Sequence, residues 1–193
     1  MTNIAPTWTV LLIGGASGTG KTSVGYRVAQ HFGVGITEVD DFQVILEKMT
    51  TPEQLPALHF WDTHPNPMSL SAEEIFEQGL EIGEVLTPAL EAVIDNHIEE
   101  QQPILLEGDF IHPSLATYHE QVRAVFLYEP DESQILANYL QREPEDGPQE
   151  FRARVSWLKG KWLKQEADRL GMTVLRSRPW DTLFDRLLVS LET

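Results

Sequence analysis

Eight residues, Gly15 to Thr22, read Gly-Ala-Ser-Gly-Thr-Gly-Lys-Thr. They fit G-x-x-x-x-G-K-[ST], the pattern of a phosphate-binding loop. The spacing constrains the fold because backbone N–H groups from Ala16, Ser17, Thr19 and their neighbours must turn inward on one phosphate chain. Gly15, Gly18 and Gly20 lack the Cβ that would block unusual dihedrals or close approach. Lys21 reaches the β/γ oxygens as a point charge, and the Thr22 hydroxyl can ligate Mg²⁺. A helix opening at Thr22-Ser23 adds the positive end of its dipole. Such a loop needs a buried strand before it and a helix after it. Trp8 to Ile13 is a short apolar run suited to a central parallel strand. From Lys21, Val24, Val28 and Phe32 recur at helical spacing, and Gly33 supplies a stop.

Composition narrows the partners. The 193 residues read as one domain, 1–193, with ordinary apolar content and no repeat. Cysteine is absent, which excludes disulfides and thiolate metal sites. No stretch reads as a signal peptide or a membrane span, so a cytoplasmic protein is expected. Net charge is −16, which disfavours nucleic acid and anionic membrane as partners. From Met49 to Val122 there are fourteen Asp or Glu and no Lys or Arg, whereas nine of the fourteen basic residues fall between Arg142 and Arg178. A basic patch on an acidic chain calls for an anion, and a nucleotide is the obvious one. A monomer or a homodimer fits equally.

Along the chain, Gly35 to Val39 reads as a second strand ending in Asp40-Asp41. An acidic pair at a strand's carboxyl end lies where parallel sheets bind ligands. Asp40 can accept the proton of an attacking hydroxyl, and Asp41 can cap the next helix, Phe42 to Met49, or touch the acceptor. Thr51 to Leu70, with His59, Phe60, Trp61, His64, Pro65 and Pro67, reads as an ordered loop forming a pocket wall or lid in which Phe60 and Trp61 could stack on a substrate. Its histidines lack metal-ligand spacing. Ser71-Ala-Glu-Glu74 is a capping box opening a long helix with Ile75, Gly79, Ile82, Leu86, Leu90, Val93 and His97 on one face and a break or kink at Pro88. Pro103 to Phe110 is a third strand with acids at its tip, where Glu107 is the first candidate to orient Mg²⁺ and Asp109 a second or a substrate contact. Arg123 to Tyr128 is a fourth strand, followed by a helix capped at Asp131. Arg142 to Gln149 reads as a hinge. Phe151 to Leu170 forms an amphipathic helix with Phe151, Val155, Leu158, Trp162 and Leu170 inward. Arg142, Arg152 and Arg154 around that hinge can close over the γ-phosphate. Thr173 to Leu175 is a fifth strand, and Arg176 to Trp180 beyond it can border the nucleotide base. The final helix runs from Asp181 to Leu191. Alternation of strand and helix gives a three-layer α/β/α sandwich on a parallel sheet.

With these residues in hand, the chain resembles the small-molecule kinases of the P-loop superfamily. The Gly15–Thr22 loop, Asp40-Asp41-Phe42, Leu105-Leu106-Glu107-Gly108 and the arginine-bearing lid are similar to uridine kinase and nicotinamide riboside kinase. The loop also looks like sequences labelled 2-phosphoglycerate kinase. The resemblance implies strand order 2-3-1-4-5, an acceptor-binding insertion at about 41–102 and a small helical lid at about 142–160. It implies ATP and Mg²⁺ as cofactors, Asp40 as base, Glu107 at the metal, and phosphoryl transfer to a small-molecule hydroxyl. Residues 40–103 hold one basic residue, Lys48, so a neutral or cationic alcohol is the expected acceptor. The alternatives are an enzyme like 2-phosphoglycerate kinase and a nucleotide-dependent switch or ATPase with no acceptor.

Overall fold

The computed structural model describes residues 5–66 and 69–192; Pro67 of the expected pocket wall lies outside them. Five strands form one parallel sheet, β1 (Val10–Gly15), β2 (Gly35–Glu38), β3 (Ile104–Gly108), β4 (Val122–Tyr128) and β5 (Thr173–Arg176), in the order β2-β3-β1-β4-β5. This is the expected order. Both faces of the sheet are covered, so β1 is apolar at every position. Val10 and Leu12 face one core, with Ile82, Leu86, Leu90 and Leu163; Leu11 and Ile13 face the other, with Val24, Val28, Leu183 and Leu187.

Seven α-helices connect and flank the strands among the described residues: α1 (Lys21–Phe32), α2 (Val39–Met49), α3 (Phe60–Thr63), α4 (Ala72–Glu99), α5 (Glu132–Arg142), α6 (Glu150–Arg169) and α7 (Trp180–Leu191). Three expectations need correction. First, β2 stops at Glu38, and Asp40 and Asp41 sit in the first turn of α2 rather than on a strand tip. At the turn Val39 is buried against Gly108, where an added Cβ would come within 2.7 Å of the Val39 Cβ.

Second, α4 runs unbroken through Pro88. Proline in a helix costs about 3 kcal/mol. Pro88 lies on the exposed side, while full burial of Leu86 and Leu90 returns roughly 1.5–3 kcal/mol each. The capping box is present: Ser71 Oγ accepts from Glu74 N at 3.2 Å, and the Glu74 carboxylate accepts from Ser71 N at 2.7 Å.

Third, the buried stripe of α6 is Ala153, Ser156, Lys159, Gly160, Leu163 and Ala167, not the larger apolar residues. The helix packs against α4, α5 and β4, and small side chains allow that close approach. Phe151, Val155, Leu158, Trp162 and Leu170 are half-buried beside the stripe.

Candidate active site

The sheet register gathers the polar residues. Ile13 pairs with Glu107 and Gly14 with Gly108, while Glu38 pairs with Glu107 from the other side. The carboxyl ends of β1, β2 and β3 therefore open into one cavity of about 690 Å³. Ser17, Gly18, Gly20, Lys21, Thr22 and Ser23 form its floor; Glu38, Asp40, Glu107 and Asp109 form an acidic wall; Arg142 and Arg152 form a basic one.

The loop is tied down from inside. Thr19 Oγ1 donates to the Ala16 carbonyl at 2.8 Å, and Asn138 of α5 donates to the Gly18 carbonyl at 2.9 Å. Gly18 and Gly20 adopt φ of 82° and 85°, the left-handed region that side chains avoid. Gly20 caps α1 without any side-chain bond, which leaves the first N–H groups of the helix for an incoming anion.

Lys21 is buried, and its ammonium bonds to Asp109 Oδ1 and, at 3.3 Å, to the Ala16 carbonyl. Burial works against its charge, but Asp109, Glu107 and Asp40 overcome that and hold its pKa above the usual value. Burial also works against the Asp109 charge, yet Lys21 and then Lys159 pull that carboxyl below its usual range. Asp40 moves the other way: desolvation, then the charge of Asp109, raise its pKa against the opposing pull of Lys21 and Lys159. Glu107 is only 2% exposed. Desolvation raises its pKa, while a hydrogen bond from the Thr22 hydroxyl works to lower it. A hydroxyl bonded to a buried carboxylate is the hard-oxygen donor set that suits Mg²⁺.

No family model matches the chain. A protein named 2-phosphoglycerate kinase from Methanocaldococcus jannaschii is 29% identical over 126 residues, covering 61% of this chain and 40% of the relative. One of the same name from Methanococcus vannielii is 24% identical over 129 residues, covering 61% and 41%. The chain thus spans about 40% of the length of these curated relatives. Among solved structures, a gluconokinase from Sinorhizobium meliloti 1021 superposes with a TM-score of 0.57 at 17% identity, over 98% of this chain and 94% of that one. Deoxyadenosine kinase from M. mycoides, solved with bound dATP, gives 0.53 at 9% identity, over 96% and 100%. The fold is that of the P-loop kinases.

Within that P-loop kinase fold the sequence-derived residues separate. Ser17, Gly18, Gly20, Lys21, Thr22, Ser23, Asp40, Glu107, Asp109, Arg142 and Arg152 line the cavity; Gly15, Ala16 and Thr19 lie in the loop beneath it. Asp41 is exposed on α2 and off the cavity wall. Phe60 and Trp61 are also off it: the Phe60 ring stacks on His64 at 4.0 Å, and Trp61 packs edge-on against Phe60. Arg154 points away to Glu132 at 3.0 Å and Glu73 at 3.6 Å, because these acids on α5 and α4 lie across from it. Arg176 and Pro179 do not line the cavity either; Trp180, one residue on, does. The Arg178 guanidinium stacks on the Trp180 ring at 4.3 Å and donates to Asn138 at 2.8 Å. Asn138 and Gln141 had no motif to announce them, whereas Trp180 closes the Arg176–Trp180 stretch expected to border the base and is the residue of that stretch that lines the cavity. Lys159, on the buried stripe of α6, was hidden within a run of basic residues read as one patch.

Proposed function

We propose that the chain is an ATP-dependent phosphotransferase acting on the hydroxyl of a small molecule. The observation that carries this reading is the convergence of Lys21, Asp40, Glu107, Arg142 and Arg152 on one cavity floored by a phosphate-binding loop. Backbone N–H groups from Ala16 to Thr22 would hold the phosphates. Thr22 and Glu107 would hold Mg²⁺, which bridges phosphate oxygens and offsets their charge when bound. Lys21 would exchange Asp109 for phosphate oxygens, which frees Asp109 to orient the acceptor. Asp40 would take the proton from the acceptor hydroxyl, and Arg142 and Arg152 would spread the charge on the transferring group.

Two observations bear on the acceptor in opposite directions. The acidic segment 40–103 supports a neutral or cationic alcohol. Lys159, from outside that segment, acts by its charge on Asp109 and Asp40 and supports an anionic one, as does the name of the two curated relatives, which would bring a phosphorylated hydroxy acid. A switch without an acceptor would not need a base, and Asp40 on the cavity wall favours transfer.

Calorimetry and ADP release test the reading together. Magnesium–ATP should bind with measurable heat, and a metabolite pool should raise ADP release many-fold. Lys21→Ala should abolish turnover. ATP hydrolysis indifferent to every added metabolite would leave a switch instead.

A further inference from the structure

We infer that Lys159 anchors an anionic group, a carboxylate or a phosphate, on the acceptor molecule. This rests on the phosphotransferase reading above and names the substrate class of the same site.

Lys159 is the only charged residue on the buried stripe of α6, and it is 7% exposed. Its neighbours on the helix, Lys161 and Lys164, are exposed and half-buried. Burying a lysine is costly, so buried ammonium groups are normally paired with a carboxylate or hydrogen-bonded. Lys159 is neither: among the described residues no acceptor lies within hydrogen-bonding reach of its Nζ. The ammonium instead sits over the Phe110 ring, 4.3 Å from the centroid. A face-on aromatic contact holds the cation without using its three N–H donors.

Lys159 is not itself among the residues that line the cavity, but it is close enough for its charge to act there. Phe110 directly follows Asp109, and the Lys159 charge acts on both Asp109 and Asp40. Neither carboxylate takes a hydrogen bond from it. Asp109 already has Lys21 as its partner. On the far side the α4 backbone at Gly79 is close: a Cβ there would meet Nζ at 3.8 Å. His112, also buried and within the field of Lys159, is kept neutral because desolvation, then that same charge, depress its pKa to about 4. Of the neighbouring pair Lys159 and His112, the positive charge is therefore the lysine's. Desolvation lowers the Lys159 pKa to about 8, which still leaves it mostly charged near neutral pH, and an arriving anion would pair it and favour the charged form further.

The inference reverses the acceptor charge expected from residues 40–103, because the cation comes from a helix some 60 residues further along the chain.

The test uses matched hydroxyl compounds that differ in charge: glycerol and glycerate, glucose and gluconate, glycerate and 2-phosphoglycerate. With the wild-type chain, the anionic or more anionic member should give the higher kcat/KM. In Lys159→Met that preference should fall by about 30-fold or more, mainly through KM, with Lys159→Gln behaving alike and melting temperatures confirming folded variants. The carboxylate and phosphate arms separate the two anion sources. A second readout does not need turnover. The ¹⁵Nζ resonance of Lys159, assigned by its loss in Lys159→Met, should move when glycerate, gluconate or 2-phosphoglycerate is added to the chain holding magnesium and a non-hydrolysable ATP analogue. A resonance unmoved by all three anions, or a wild-type preference for the neutral members, overturns the inference while leaving the phosphotransferase reading intact. Absence of both ATP-binding heat and ADP release would instead bring down that reading.

Discussion

Asp40 and Asp109 face the same cavity, and their surroundings push them in opposite directions. Paired carboxylates with diverging pKa values are how acid–base roles are commonly divided. Asp109 is held ionised by Lys21 and suits positioning. Asp40 is raised, chiefly by desolvation and then by the Asp109 charge, which brings it closer to the pH at which a base works best. Asp40→Asn should therefore cut turnover by about 10²-fold or more and keep the heat of magnesium–ATP binding. Normal turnover in that variant would remove Asp40 as the base. The pH dependence has a definite sign. A base acts when ionised, so turnover should fall as pH drops through the raised Asp40 pKa. That acid limb lies above the ordinary aspartate value of about 3.9. Asp109→Asn removes the neighbouring negative charge, so whatever activity remains should show an acid limb shifted to lower pH. A limb that stays put would mean that another group titrates.

Helix α6 illustrates what an element does beyond its residues. At its start, Arg152 donates to Glu143 at 2.6 Å, and Arg142 at the end of α5 pairs with the same carboxylate at 2.6 Å. Gln149 and then Arg142 hold the Glu143 pKa down at about 2. A depressed carboxylate contributes its stabilisation above its unfolded pKa and loses it only as pH falls towards about 2, so this clamp stays closed across the working range. Phosphates would have to compete with Glu143 for both arginines. Glu143→Gln should raise affinity for magnesium–ATP by a few-fold, up to about fivefold, with titration calorimetry as the measurement; exposed pairs are worth little more than that. Unchanged or weaker binding would show that the clamp does not compete. Packing between elements gives a second test. A Cβ at Gly83 of α4 would stand 2.2 Å from His112 Nε2, and that ring is wedged edge-on against Trp162 of α6. Gly83→Ala should cost about 1–3 kcal/mol in chemical denaturation. In a Gly83→Ala, His112→Ala double variant the cost should be less than the sum, because the second change removes the obstacle.

At the scale of the molecule, the sequence carried the sheet and the loop because their chemistry is local. The alternation of apolar runs with helical spacing announces β1, α1 and the layers around them, and the glycines of Gly15 to Gly20 have few other uses. What it could not carry were contacts between distant segments. Asn138 lines the cavity from the carboxyl half of the chain and Lys159 acts on Asp109 there by its charge, and no spacing rule connects either to Lys21. Phe60 and Trp61 looked like a platform, but Phe60 stacks on His64 within its own loop, a contact invisible to composition. Arg154 was one of three arginines near a hinge, and only the helix phase sends it to Glu132 rather than to the cavity. The same dispersal sets the last prediction. The cavity takes residues from β2, β3, α1, α2, α5, α6 and α7. A ligand that grips them all binds only the assembled native chain, so it must stabilise folding by mass action. At a magnesium–ATP concentration about 100 times its Kd, the gain should be roughly 2.7 kcal/mol. For a chain of this size that is an upward shift of about 5–10 °C in Tm. Lys21→Ala should lose most of the shift and Asp40→Asn should keep it, since the first removes a phosphate contact and the second only a proton acceptor. A wild-type Tm unmoved by magnesium–ATP would mean that the loop at Gly15 to Thr22 does not hold a nucleotide at all.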